Sequence, residues 1–125
     1  MTSRIFTTKT FRRWMGKADI TDQALVLAIR EMEQGLIDAD LGGHLFKKRV
    51  ALQGQGKRGG ARTIVASNIQ GRWFFIYGFI KNERDNISPV ELKALHVLAK
   101  QLLELNDIQL KKALSANEIT EVHHV

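Results

Sequence analysis

Residues 45–80 read LFKKRVALQGQGKRGGARTIVASNIQGRWFFIYGFI, and this stretch decides the fold. Three runs rich in β-branched and aromatic residues, 45–52, 61–68 and 72–80, are separated by short links that carry glycine. The first link, 53–60, holds four glycines, and the second centres on Gln70-Gly71, a tight-turn signal. Links this short join antiparallel neighbours, so the three runs predict a sheet. The third run, Arg72 to Ile80, is apolar at both odd and even positions. That pattern predicts a central strand covered on both faces.

Helix signals surround the sheet. Arg4-Ile5-Phe6 reads as a short first strand, after which Thr7 or Thr8 caps a helix through Phe11, Trp14 and Met15 to about Lys17. A second helix starts with Thr21 as N-cap, Asp22 at the positive end and Ile20 stapled onto Leu25. Leu25, Ala28, Ile29 and Met32 share one face, and Gly35 suits the C′ position. Ser88-Pro89 opens a third helix, with the only proline at N1 and a stripe of Leu92, Leu95, Leu98, Ala99 and Leu102. The order β-α-α-β-β-β-α predicts an α+β domain. Its antiparallel sheet of three to four strands is packed by an N-terminal helical hairpin and a C-terminal helix. Residues 1–105 form this single domain. Residues 106–125 lose the helical period and read as an extension, partly helical or flexible, whose Ile108, Leu110 and Leu114 prolong the helix or dock on a partner.

Composition excludes several classes. The chain has 125 residues, 44% of them hydrophobic and 26% charged, which fits one globular domain with a real core. It has no cysteine, so disulfides and thiolate metal sites are out, and its four histidines show no zinc spacing. The first eleven residues are basic and polar, without the apolar core of a signal peptide. No apolar run is long enough to span a bilayer. The expectation is a cytoplasmic protein needing no cofactor, metal or membrane.

Charge is segregated along the chain. Between Asp40 and Glu83 there is no acidic residue, yet there are eight basic ones: Lys47, Lys48, Arg49, Lys57, Arg58, Arg62, Arg72 and Lys81. With an overall net charge of +6, this third carries +8 and the remainder −2. A surface of one sign repels itself, and a polyanion such as nucleic acid relieves that cost. Lys47 and Arg49 are two apart on a strand and share a face, whereas Lys48 points the other way or sits at a distortion. If the strands are adjacent, Lys47, Arg49, Arg62, Lys81 and Arg84 converge.

A set of cations on a sheet is most often a solvated or phosphate-binding surface. The sharper reading is RNA cleavage without metal. The 2′-OH of RNA attacks its own phosphate, and an enzyme must align the nucleotide and neutralise the crowded phosphorane. Arginine neutralises with a forked donor. A lysine among other cations has its ammonium form disfavoured and serves as a base. The glycine loop lacks the Lys-Ser/Thr of a Walker motif and reads as a basic hairpin loop, where Lys57 and Arg58 track a phosphate backbone. His44 is a further acid–base candidate, though a lone histidine at a strand edge is more often ordinary surface. Among Trp73, Phe74, Phe75, Tyr77 and Phe79 most belong to the core, and Tyr77 is the one expected to show a polar tip at the active face.

These motifs resemble a known family. Leu45-x-Lys47-x-Arg49-Val50-Ala51, the loop Gly54-x-Gly56-Lys57-Arg58-Gly59-Gly60-x-Arg62, Ile76-Tyr77-Gly78 and Lys81-Asn82-Glu83-Arg84 resemble the RelE/HigB-like toxins of type II toxin–antitoxin systems, over about residues 4 to 105. The resemblance implies a RelE-like fold and a ribosome-dependent endoribonuclease that cleaves translated mRNA and inhibits translation. It implies that Lys47, Arg49, Arg62, Lys81 and Arg84 are catalytic, with Lys47 and Arg49 as base and charge stabilisers. Arg62 then stabilises the phosphate, and Arg84 clamps the transition state. Lys48, Lys57, Arg58 and Tyr77 would bind RNA. It also implies a cognate antitoxin, often with a helix-turn-helix domain, the ribosome and mRNA as partners, and a free toxin that is monomeric. This chain departs from RelE in having no tyrosine shortly after Arg84. The alternatives are a ParE-like gyrase inhibitor of the same fold and a non-enzymatic nucleic-acid-binding module.

Overall fold

The structure, a computed structural model, describes residues 3–52, 60–68, 71–81, 83, 84 and 86–123. Strand β1 (Arg4–Thr8) leads into helices α1 (Lys9–Lys17) and α2 (Asp22–Glu33). Strands β2 (Ala39–Gly42), β3 (Leu45–Val50), β4 (Ala61–Ser67) and β5 (Arg72–Ile80) follow, then α3 (Pro89–Leu103), α4 (Asp107–Ser115) and β6 (Ile119–Val122). The helix starts obey the caps read from sequence. Thr8, Thr21 and Ser88 side chains accept from Phe11, Ala24 and Glu91 N–H groups, satisfying donors that the first turn leaves open.

The six strands form one sheet in the order β2-β3-β4-β5-β1-β6. All pairs are antiparallel except β1 with β5, which run parallel. The expectation of an α+β fold holds, and β5 is central, between β4 and β1. The expected sheet of three to four strands is too small. Both outermost strands, β2 and β6, are only four residues long. Strands that short show no alternation strong enough to read, and it is pairing with β3 and β1 that holds them.

The helices also differ from expectation, since each face of the sheet carries two. One core joins Phe11, Met15, Leu25, Ile29 and Met32 of α1 and α2 to Ile5, Phe46, Val65, Trp73 and Phe75. The other joins Leu95, Ala99 and Leu102 of α3 and Leu110 of α4 to Phe6, Leu45, Ile64, Phe74 and Ile76. Residues 106–122, read from sequence as an extension, are built into the fold. Asn106 and Gln109 make a reciprocal capping box that starts α4, Leu110 is buried, and β6 pairs with β1.

Two details of β5 position the site. Gly78 lies under the Trp14 ring, and a Cβ there would come within 2.1 Å of it, so α1 packs on the strand only because that residue is glycine. The register also shifts: Val65 pairs with Phe75 but Ile64 pairs with Tyr77. Ile76 is the extra residue of a β-bulge, which turns the rest of the strand over. Tyr77 therefore joins Phe74 and Ile76 on the α3 side instead of facing α1 and α2.

Candidate functional site

On β3 the alternation is strict. Leu45 belongs to the α3-side core and Phe46 to the α2-side core, so Lys47 and Arg49 follow Leu45 while Lys48 follows Phe46. Arg49 pairs directly with Arg62 of β4, and Arg62 with Phe79 of β5. Lys47 pairs with Ile64, which pairs with Tyr77. Lys47, Arg49, Arg62, Tyr77 and Phe79 thus form a patch on one face, beside the N-terminal end of α3.

Arginines directly opposite each other on neighbouring strands repel. Asp38 offsets part of this, because Arg49 Nε lies 3.0 Å from Asp38 Oδ1, and Asp38 Oδ2 also accepts from the Arg49 backbone N–H at 2.7 Å. The Arg62 side chain is buried despite its charge.

Arg84 reaches the same face from beyond β5. Its Nη1 and Nη2 donate to Glu91 Oε2 at 2.9 Å and Oε1 at 2.5 Å, a bidentate fork. Nη1 also donates to the Tyr77 hydroxyl at 3.0 Å, and Nε to the Asn86 carbonyl at 3.0 Å. The guanidinium lies 5.6 Å from the Phe79 ring centre, within cation–π range. Tyr77 in turn donates to Glu91 Oε2 at 2.9 Å. Lys47 Nζ donates to Asn86 Oδ1 at 3.3 Å, which links the strand patch to this cluster.

The cluster shifts its members' protonation. The Arg84 fork, then the Ser88 N–H and the Tyr77 hydroxyl, hold the Glu91 carboxyl far below the usual carboxylate range. Partial burial, then the bond to Glu91, pushes the Tyr77 phenol above its ordinary value. The hydrogen bond to Glu91 also raises Arg84. At neutral pH this is a carboxylate, a neutral phenol and a guanidinium.

A protein-family model described as the RelE toxin of the RelE/RelB toxin–antitoxin system matches residues 3–122. The chain belongs to the RelE toxin family. No curated protein matches it. As a RelE-family toxin it is the toxic member of a toxin–antitoxin module and pairs with an antitoxin. The match runs through α4 and β6, beyond the span of residues 4 to 105 that carried the sequence resemblance.

Within this RelE-family fold the sequence candidates separate. Lys47, Arg49, Arg62, Tyr77 and Arg84 come together. Lys81 is exposed in the turn directly after β5. Lys57 and Arg58 lie outside the described residues. Lys48, expected to bind RNA, is corrected: it points to the opposite face and is buried. There its Nζ lies 2.9 Å from Glu31 Oε1 and donates to the Leu36 carbonyl at 3.0 Å, which ties β3 to α2. Arg72 is likewise engaged elsewhere, with Asp107 and the Leu105 carbonyl at 2.6 Å each. His44 sits in the β2–β3 turn with φ of 66°, in a cavity of about 620 Å³ with His96, Lys100 and Glu104, towards the other end of α3.

Sequence reasoning missed Glu91 and Asn86. Glu91 had a signal, the Ser-x-x-Glu spacing of a capping box begun by Ser88, and the box is formed. Asn86 had none, since it matters only because Lys47 and Arg84 lie on either side of it. Among the described residues no group of three or more His, Asp or Glu side chains gathers as a metal site would. No helix among them is long and apolar enough to cross a membrane.

Proposed function

We propose that this toxin is a metal-independent endoribonuclease that cleaves translated mRNA on the ribosome. The observation carrying the reading is the direct pairing of Arg49 with Arg62, flanked by Lys47, Tyr77 and Arg84 on one face. Arg49 and Arg62 side by side present two guanidinium groups on one face, and an RNA phosphate suits such a pair.

In this reading Lys47, as the free amine, takes the proton of the 2′-OH. The 2′-oxygen then attacks the adjacent phosphorus. Arg62 and Arg49 neutralise the non-bridging oxygens as the phosphorane forms. The bond to the 5′-oxygen breaks, leaving a 2′,3′-cyclic phosphate, and the leaving oxygen takes a proton from solvent. Arg84 clamps the charge that develops and does not give up a proton, because guanidinium hardly deprotonates. Lys81 adds positive potential along the RNA path. The phenol of Tyr77, held neutral, contacts the substrate at the edge of the patch. The antitoxin inhibits by covering this face or by blocking entry to the ribosome, and the protein works in the cytoplasm, where translation occurs.

The test is a translation extract programmed with a defined mRNA, with cleavage mapped by primer extension. Wild type should cut within translated codons, and Arg62→Ala should abolish the cuts while RNA binding persists. An intact message in the presence of folded wild-type protein would sink the reading and make DNA gyrase the next target.

A further inference from the structure

We infer that Glu91 is a positioning residue of the RNA-cleaving face, setting Arg84 and Tyr77 in one fixed arrangement beside the Lys47–Arg49–Arg62 patch. The inference rests on the proposed nuclease activity and adds to it a group that the sequence did not single out.

A guanidinium has five N–H groups. In Arg84, Nε–H goes to the Asn86 carbonyl, Nη1 serves both Tyr77 and Glu91, and Nη2 gives one bond to Glu91. One N–H on Nη2 has no partner among the described residues and is left for a ligand. The Tyr77 hydroxyl accepts from Arg84 and donates to Glu91, so its proton has one orientation. The Glu91 carboxylate takes two bonds on each oxygen, the fourth coming from the Ser88 N–H at 2.8 Å. Apart from that N–H every donor and acceptor of the cluster is used, and no member can turn without breaking a charge-assisted bond.

The anchor itself is stiff. Glu91 is the third residue of α3, and its own N–H donates to the Ser88 hydroxyl at 3.2 Å. The carboxylate is therefore bolted to the first turn of a helix whose next turns pack on the sheet. A guanidinium fixed before substrate arrives needs no reorganisation when charge develops, which is where such groups help catalysis most. Asn86 extends the arrangement to Lys47.

Glu91 has a structural task too, so the variants must separate the two. Glu91→Gln keeps a residue accepted in capping boxes, but its amide NH₂ must meet one arm of the Arg84 fork together with either the Ser88 N–H or the Tyr77 hydroxyl, all of them donors. Ser88→Ala removes the hydroxyl cap and leaves all four of these bonds to the carboxylate in place. Tyr77 is the only tyrosine in the chain, so tyrosinate absorbance reports on this cluster alone.

The experiment titrates that absorbance in wild type, Glu91→Gln and Ser88→Ala, each shown folded by circular dichroism. The same proteins are then assayed for ribosome-dependent cleavage. Wild type should titrate above an ordinary tyrosine. Glu91→Gln should fall back towards it and lose about 10²-fold in kcat, with KM little changed. Ser88→Ala should keep both the titration and the activity per folded molecule. Equal titrations in wild type and Glu91→Gln would refute the positioning geometry whatever the activity. A shifted titration with undiminished cleavage, or a lower KM at full kcat, would refute the catalytic role and make Glu91 a competitor for Arg84. Wild type that shows the raised titration but never cuts would overturn the nuclease reading and the catalytic role together, leaving the cluster as structure.

Discussion

Lys47 and Lys48 are consecutive residues of the same type on the same strand, yet they belong to different parts of the molecule. Lys48 is almost fully buried, its side chain 4% exposed, and is closed off by Glu31 and the Leu36 carbonyl. Lys47 and its neighbour-but-one Arg49 lie on the other face, beside Arg62, where cations outnumber carboxylates. A buried charge that has lost water must be paired, and Lys48 is. Lys47 and Arg49 are not buried, and cations at the open part of a face are instead suited to an incoming anion. The lesson is that a run of basic residues on a strand is two sets, one on each face of the sheet, and here only the set with Lys48 is tied to α2.

The largest expected effect that sharpens this contrast is on Arg62→Ala. It should lower cleavage by about 10³-fold, as when a developing oxyanion loses a fixed donor, with RNA affinity much less affected. Single-turnover cleavage with separate binding curves checks it. Next is Lys48→Ala, which removes a buried ammonium bonded to Glu31 and the Leu36 carbonyl and should cost about 3 kcal/mol in urea denaturation. Cleavage per folded molecule should not change, and a loss there would erase the distinction between the two faces. Lys48→Met should recover only the packing part of that cost, because the apolar stem is retained while the ammonium's bonds to Glu31 and the Leu36 carbonyl are still lost.

Smaller effects probe the open face. Lys47→Ala should shift stability by less than about 0.5 kcal/mol, yet flatten the log–log salt dependence of single-strand binding by about 0.7, one phosphate contact. Asp38→Asn removes the carboxylate that offsets the Arg49–Arg62 repulsion. It should cost about 0.5 kcal/mol at low salt and tighten RNA binding. The pH dependence contributed by Glu91 should be the slightest. Its folded carboxyl is depressed, so the stability it lends is complete above the ordinary glutamate range and is lost as pH falls below that range to the depressed folded value. Glu91→Gln should flatten that part of an acid denaturation profile. Tyr77 has the opposite sign: its raised value means its contribution is intact below the ordinary tyrosine range and fades as pH climbs past it.

Much of the fold was legible because its signals are local. The caps at Thr21 and Ser88, the proline at N1 and the glycine turn at Gly71 act within a few residues of themselves, and so do the three central strand runs. The even spacing of Lys47 and Arg49 likewise placed both on one face. The four-residue strands β2 and β6 left no such trace, since a segment that short is a strand only because a neighbour supplies its hydrogen bonds. Nor did α4, nine residues long, show enough of the helical period to stand out as a helix of its own.

The sequence by itself determined that three basic strands would meet in a sheet and that their cations would alternate between its faces, because alternation follows from strand geometry alone. What lies opposite each cation was decided only in three dimensions. Arg62 faces Arg49 because of the β3–β4 register, and Lys48 meets Glu31 because α2 packs on that side of the sheet. The phase of β5 was hidden altogether, since a strand apolar on both faces gives no clue to which side each residue takes. The bulge at Ile76 settles it, turning Tyr77 and Phe79 towards α3, where Glu91 and Arg84 close the site. An extra residue in a strand is fixed by the partner it must stay paired with, and that partner is a feature of the folded chain.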